Sequence, residues 1–287
     1  MDLLSGDGFT QHICILGIRR NGMDKISSSN NMNIKNIMAL QKKGKTRREQ
    51  DVFVVEGIKM VSEIPVGYLL QLYVAESFGV QQEQREVLEE AVKSHGIDYQ
   101  VVTDKVFREV SDTQTPQGIL AVVKQAHYQW EDLFSKERAA HLIIVEGLQD
   151  PGNLGTILRA GEGAGVTGVV LSKGTVDIYN AKVIRATMGS IYRVPFFYTD
   201  CLEESLVRIQ ERCSIYAAHL RGVCDYDQVD YTKDTAFLIG NEANGLSDKI
   251  AAYAKQLVRI PMLGKVESLN AAVAASVLMY EAARQRR

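Results

Sequence analysis

Between residues 142 and 260 the chain repeats short, almost wholly apolar runs, each followed by a stretch of polar or helical spacing. The runs at 142–145, 168–171, 194–197, 214–218, 236–239 and 257–260 are predicted strands. Helices are predicted at 154–164, 178–188 and 202–212, near 247–253, and after residue 268. Strands without polar alternation are buried on both faces, and successive parallel strands need a crossover between them. The predicted class is therefore α/β, with a parallel sheet covered on both sides by helices. Ligands of such sheets bind beyond the carboxyl ends of the strands. The loops after Val145, Ile239 and Ile260 are thus the places where chemistry is expected.

The first half reads as a smaller α/β domain of about 90 residues, a common domain size. A basic helical segment at 33–48 carries Lys35, Lys42, Lys43, Lys45, Arg47 and Arg48 and no acid. Strands are predicted at 52–55, 69–74, 99–102 and 119–123, and helices at 56–63, 83–94 and 104–110. The expected organisation is an extension over 1–32, a domain over 33–125, a connection over 126–140 and a second domain over 141–287. Residues 1–22 hold an apolar stretch at 13–18 followed by Arg19 and Arg20, the reverse of a secretory signal. They are expected to be a disordered extension or the product of an upstream start codon.

A net charge of −2 means that any nucleic-acid binding must come from a local patch. Cys14, Cys201, Cys213 and Cys224 show neither C-x-x-C spacing nor pairing with histidines, so reduced thiols of a cytoplasmic protein are expected. No apolar run approaches a membrane span.

Three strand-end loops concentrate polar residues. The first, Asp150-Pro-Gly-Asn-Leu-Gly-Thr-Ile-Leu-Arg159, places Asn153 near a helix start and Arg159 between Leu158 and Ala160, where a half-buried guanidinium would need a partner. The second, Leu238-Ile-Gly-Asn-Glu-Ala-Asn-Gly-Leu-Ser247, holds Glu242 between Gly240 and Gly245. Glycine at both ends permits close backbone approach to a ligand. In the third, Pro261 stops a strand at Ile260, and a helix opens with Ser268 and Asn270 in its first turn. The set contains no histidine, cysteine or aspartate at its focus, which disfavours a metal centre and a Ser–His–Asp triad. It suits orientation of a substrate and an Arg or Glu acting on a hydroxyl. Two glycine-bearing segments are decoys. Gly161-Glu-Gly-Ala-Gly165 closes a helix instead of joining a strand to one, and Gly44-Lys45-Thr46 has no preceding strand.

Taken together, Asn153-x-Gly-x-x-x-Arg159, Ile239-Gly-Asn-Glu-Ala-Asn-Gly245 and Ile260-Pro-Met…Ser268-Leu-Asn270 resemble the three motifs of the SpoU family of RNA ribose 2′-O-methyltransferases, over residues 141–287. Phe53-Val-Val-Glu-Gly-Ile-Lys59 and Thr115-Pro-Gln-Gly-Ile-Leu-Ala121 resemble the ribosomal-protein-like RNA-binding domain that precedes many members. The resemblance implies a sheet with a deep C-terminal trefoil knot, S-adenosylmethionine as cofactor, a homodimer and an RNA substrate, ribosomal RNA first and transfer RNA second. Carried over, Gly240, Ile260 and Leu269, with Ile239 and Met262, would line the cofactor site. Arg159 would contact the target ribose or phosphate and help deprotonate the 2′-hydroxyl, while Asn153, Glu242, Ser268 and Asn270 would complete the pocket. The basic run Lys35–Arg48 would supply phosphate contacts.

The last helix carries Leu269, Val273, Val277 and Tyr280 along one stripe, a core pattern. Its small residues Ala271, Ala274, Ala275 and Ser276 would permit close packing. Two other readings stand beside the enzyme: a non-catalytic RNA-binding or ribosome-assembly factor, and a nucleotide-dependent oxidoreductase resting on the 161–165 glycines alone.

Overall fold

A computed structural model describes residues 25–134 and 137–287. The chain divides into two compact units, with the second beginning at Ala126. The expectation for residues 1–22 lies outside the described residues.

The first unit is built on a four-stranded sheet in the order β1-β4-β2-β3. Its strands are β1 (Val52–Glu56), β2 (Leu69–Ala75), β3 (Tyr99–Val102) and β4 (Ile119–Lys124). β4 runs antiparallel to both neighbours, and β2 pairs with β3 in parallel. Residues 25–31, expected to belong to a loose extension, are part of this unit. Ile26 is buried and bridges to Val102, its amide donating to the Val101 carbonyl at 3.0 Å.

The basic segment is two helices, Met32–Lys42 and Gly44–Gln50, instead of one. Lys43 between them is extended at φ −118° and ψ 109°, ending one helix and capping the next. Ile34, Ile37 and Leu40 form the buried stripe at i, i+3 and i+6. Lys35, Lys42, Lys43, Lys45 and Arg48 are exposed. Arg47 is not: it is 3% exposed and its Nη1 donates to the carbonyls of Leu40 (2.6 Å) and Gln41 (3.1 Å). It satisfies carbonyls left open at the end of the first helix, so the expected phosphate contact is corrected to a structural cap.

The second unit holds a seven-stranded sheet, ordered β7-β6-β5-β10-β8-β11-β9, in which every pairing is parallel. Its strands are β5 (His141–Val145), β6 (Gly168–Ser172), β7 (Phe196–Thr199), β8 (Ser214–Ala218), β9 (Cys224–Asp225), β10 (Thr235–Ile239) and β11 (Gln256–Arg259). From β5 the chain builds outward through β6 and β7. It then crosses to β8 and returns to lay β10 between β5 and β8. The direction of winding therefore reverses at the β5–β10 seam, the kind of place where α/β sheets open a ligand crevice. The two-residue β9 is too short to have shown a periodic signal.

Residues 126–140 do more than connect. A 3-10 turn at Trp130–Leu133 delivers Trp130, Leu133 and Phe134 into the core of the second unit, where they pack with Leu142, Ile144, Leu206 and Ile215. The Arg208 guanidinium lies over the Trp130 ring at 4.1 Å.

Helix Pro151–Gly163 begins earlier than predicted, with Asp150 as its cap and Pro151 in its first turn. It packs on helix Ala181–Thr187 so closely that a Cβ on Gly155 would lie 2.5 Å from the Ala186 Cβ and 2.7 Å from the Val183 carbonyl oxygen. Gly155→Ala is expected to cost about 2 kcal/mol or more by overpacking. Denaturant unfolding would read this as a lower midpoint with unchanged m-value.

The last helix spans Ala271–Gln285 and buries a different stripe from the one expected. Its inner face is Ala272, Ala275, Leu278, Met279 and Ala282. Val273 and Tyr280, expected in the core, are each 47% exposed. The inner face packs on helix Pro151–Gly163, where a Cβ on Gly161 would be in van der Waals contact with the Met279 sulfur at 3.5 Å.

Candidate active site

The loops at the carboxyl ends of β5, β10 and β11 supply the site. After β10 the chain reverses sharply through 240–245. The Asn241 amide donates to the Gly245 carbonyl at 3.0 Å, and the Gly245 amide returns the bond at 2.9 Å. Asn241 Oδ1 accepts from the amides of Ala243 and Asn244, and its Nδ2 donates to the Gly147 carbonyl at 2.7 Å. A side chain on Gly240 would fall on the backbone of Gly245 and Leu246, so the loop closes only with glycine there.

This turn presents Glu242 to the start of helix Pro151–Gly163. Glu242 Oε2 accepts from the Gln149 amide at 3.1 Å. Its Oε1 accepts from the Asp150 amide at 2.9 Å and from Asn153 Nδ2 at 3.0 Å. Asn153 Oδ1 in turn accepts from Asn270 Nδ2 at 2.9 Å. Asn270 Oδ1 caps the last helix, accepting from the amides of Ala272 and Val273. One continuous chain of hydrogen bonds thus joins the three predicted loops through Glu242, Asn153 and Asn270. Asn153 is the buried middle link, 9% exposed.

Partial burial acts to raise the Glu242 pKa, but the bonds from Asn153, Asp150 and Gln149 outweigh it and hold the carboxyl below the usual carboxylate range. An anion with both oxygens engaged orients its neighbours and is a poor proton acceptor. Because the folded value is depressed, the stabilisation is complete above the unfolded pKa of about 4.3 and is lost as pH falls through the folded value. Glu242→Gln is expected to lower Tm by about 2–4 °C at pH 7, for a loss of order 1 kcal/mol in this partly solvated setting. The gap between wild type and variant should close as the pH is taken below about 4. A gap that persists unchanged at that pH would contradict the ionised role.

The other expected residues are placed differently. Arg159 lies about two turns along the same helix and is exposed rather than half-buried. Among the described residues its guanidinium has no hydrogen bond or ion pair, so it is available to a ligand. Ser268 is not in a helical turn, because the helix starts at Ala271; it is exposed on the preceding loop. Ile239 is buried and its carbonyl already accepts from the Glu146 amide at 2.9 Å, so it braces the loop. Ile260, Met262 and Leu269 are half-buried and Gly240 is partly exposed.

Three contributors are not marked as site residues by the sequence. Gln149 and Asp150 hold Glu242 through backbone amides, for which the Asp-Pro helix start was the available signal. Glu146 accepts from the Ser247 amide (2.8 Å) and hydroxyl (2.6 Å), clamping the β5 and β10 loops together. Nothing in local sequence marks that long-range pair.

The loop 261–269 is unusual. Leu263 is fully exposed and Val266 largely so. Among the described residues no hydrogen bond is made by any backbone or side-chain group of 261–269. Free amides and carbonyls beside half-buried Ile260, Met262 and Leu269 are what a ligand with an apolar ring and a polar tail would satisfy. No cluster of His, Cys, Asp and Glu that could hold a metal occurs among the described residues.

Residues 140–280 match the SpoU rRNA Methylase family, and residues 31–121 match the MRM3-like substrate binding domain. A 23S rRNA (guanosine(2553)-2′-O)-methyltransferase from Bacillus subtilis is 30% identical over 266 residues, covering 90% of this chain and 98% of that protein. The chain belongs to the SpoU methylase family. A 23S rRNA (guanosine-2′-O-)-methyltransferase from Shewanella oneidensis is 29% identical, over 84% of this chain and 99% of its own. Among solved structures, the AdoMet-bound rRNA methyltransferase from Sinorhizobium meliloti superposes with a TM-score of 0.79 at 30% identity, covering 91% of this chain and 97% of that one. The SpoU methyltransferase AviRb from Streptomyces viridochromogenes, in complex with AdoMet, gives a TM-score of 0.79 at 25% identity over 90% and 98%. These relatives span both units, so the substrate-binding unit and the methylase unit belong to one shared architecture.

Proposed function

We propose that this chain transfers a methyl group from S-adenosylmethionine to a ribose 2′-hydroxyl of 23S ribosomal RNA. The observation that carries this reading is the hydrogen-bonded chain Glu242–Asn153–Asn270 across three strand-end loops, with an unpaired Arg159 on the same helix as Asn153. Relatives named for this reaction and substrate, matched along nearly their whole length, support it.

S-adenosylmethionine supplies an electrophilic methyl on a sulfonium, so the protein must align an oxygen and remove its proton. The 261–269 loop, with Ile260, Met262 and Leu269 and the backbone around Gly240, holds the cofactor. Glu242 and Asn153 fix the Asn270 amide and the start of the last helix. Arg159 engages the ribose or its phosphate and, as a fixed cation, favours loss of the hydroxyl proton to solvent water, and Ser268 offers a free hydroxyl on the 261–269 loop. Lys35, Lys42, Lys43, Lys45 and Arg48 position the RNA through phosphates.

The family likeness also supports a trefoil knot around the 260–270 segment. The solvent-exposed Val273 and Tyr280 on the last helix support a homodimer that covers them. No described helix is long and apolar enough to cross a membrane. The reading places the protein in the cytoplasm with its substrate.

Calorimetric titration with S-adenosylmethionine, followed by incubation of the labelled cofactor with ribosomal and transfer RNA, tests the assignment. Binding and label in ribosomal RNA are expected. Label only in transfer RNA would replace the substrate, and RNA binding without cofactor affinity would make the chain an assembly factor.

A further inference from the structure

The first unit contains a cleft of about 660 Å³, and both sequence motifs of that unit meet in it. Lys59, from the first motif, and Pro116, Gln117 and Gly118, from the second, line its wall. The two motifs are locked together. Gln117 Oε1 accepts from the Ile58 amide at 2.8 Å, which fixes the side chain and leaves its Nε2 to donate. Gly57 permits this: at φ +102°, a Cβ there would meet Gln117 Oε1 at 2.7 Å. Gly118, at φ +83°, lets the chain pass 3.2 Å from the Phe78 ring by the same measure.

At the floor Pro116 is the accessible apolar surface, backed by the buried rings of Phe78 and Phe107. Above it stand two cations without protein partners at their charged tips. Lys59 Nζ makes no hydrogen bond or ion pair among the described residues. Arg108 uses only Nε, donating to the Asp104 carbonyl at 3.2 Å, so its terminal nitrogens remain. Asp104 Oδ1 accepts from the Ser77 amide (3.1 Å) and hydroxyl (2.8 Å), which leaves Oδ2 open as an acceptor. Glu83 also lines the cleft.

The volume is that of a small-molecule site. Two unpaired cations call for an anion, yet two carboxylates in the same wall disfavour a bare polyanionic backbone. The Pro116 ring beside an amide donor and a carboxylate acceptor matches the face and edge of a base. We infer that this cleft binds one unstacked nucleotide of the RNA substrate, its phosphate at Lys59 and Arg108 and its base edge at Gln117 and Asp104. The acceptor Asp104 takes an exocyclic amino group or a ring N–H from the base edge, while Gln117 donates to a neighbouring base acceptor. This inference rests on the RNA methyltransferase reading and extends it to a specific recognition site outside the methylase unit.

The test uses the full chain, a 23S ribosomal RNA transcript as probe, and the double variant Lys59→Gln/Arg108→Gln, both exposed positions. Filter binding across a salt series should show at least a tenfold weaker Kd for the variant. The log–log salt slope should fall by about 0.7 for the lost single-strand phosphate contact. Affinity for S-adenosylmethionine should be unchanged. Ultraviolet crosslinking of the wild-type complex should attach a nucleotide to peptides containing Lys59, Pro116 or Gln117. RNA affinity within twofold of wild type, or crosslinks confined to other peptides, overturns the cleft while leaving the methyltransferase intact. Wild-type protein that binds no ribosomal RNA overturns both.

Discussion

Replacing Arg159 with alanine is expected to lower methyl transfer at least a hundredfold, the range for loss of one group acting on the reacting oxygen. The side chain is exposed and has no protein partner among the described residues, so the fold should be unaffected within about 0.5 kcal/mol. Calorimetric affinity for S-adenosylmethionine should stay within twofold of wild type. Arg159→Lys should recover little, because a guanidinium meets a phosphate or hydroxyl with a planar fork that an ammonium lacks. Single-turnover kinetics at saturating RNA separates this loss of chemistry from weaker binding. A variant with unchanged turnover would remove Arg159 from the reaction.

Glu242→Gln should be nearly as damaging, by a different route. The carboxylate accepts three hydrogen bonds, from Gln149 N, Asp150 N and Asn153 Nδ2. A glutamine has one acceptor oxygen, so its amide nitrogen must face at least one of those donors. With its oxygen at the Oε1 position the glutamine keeps Asp150 N and Asn153 Nδ2, but its amide nitrogen then opposes the Gln149 amide and pushes the side chain, with Asn153 and Asn270 bonded in line, out of register. Displacement of site groups by about 1 Å costs on the order of a hundredfold in rate. A drop of tenfold to a hundredfold in kcat is expected, with Asn153→Ala giving a similar loss and the double variant little more. Additive losses in the double variant would show that the two act separately. The Gly155→Ala effect on stability should leave this coupling untouched, since that residue acts through helix packing alone.

Much of this site was legible in the chain because its parts sit where strands end. Apolar runs without alternation gave the parallel sheet, and the loops after β5, β10 and β11 followed from it. Glu242, Asn153 and Asn270 are each legible within their own loop, but their bonding order is not. It depends on β10 being laid beside β5, a pairing about 94 residues apart in sequence that no local pattern encodes.

Errors arose where a local rule met a tertiary contact. Arg47 looked like one more exposed cation in a basic run, yet the break at Lys43 turns it inward onto open carbonyls. The apolar stripe Val273–Tyr280 resembles a core face, but the face packed on helix Pro151–Gly163 is Ala272, Ala275, Leu278, Met279 and Ala282. Ser268 was drawn into the last helix by its capping character, although Asn270 takes that position. Trp130 and Phe134 read as linker residues because three or four buried positions within a short irregular segment carry no period.

The most direct measurement is to incubate the protein with methyl-labelled S-adenosylmethionine and 23S ribosomal RNA, then digest with alkali and sequence the resistant fragments. A ribose 2′-O-methyl group blocks cleavage at its own linkage, so the expected result is label in a single alkali-resistant dinucleotide, absent with Arg159→Ala. Label released on mononucleotides, which marks methylation of a base, would contradict the assignment of this site to a ribose hydroxyl.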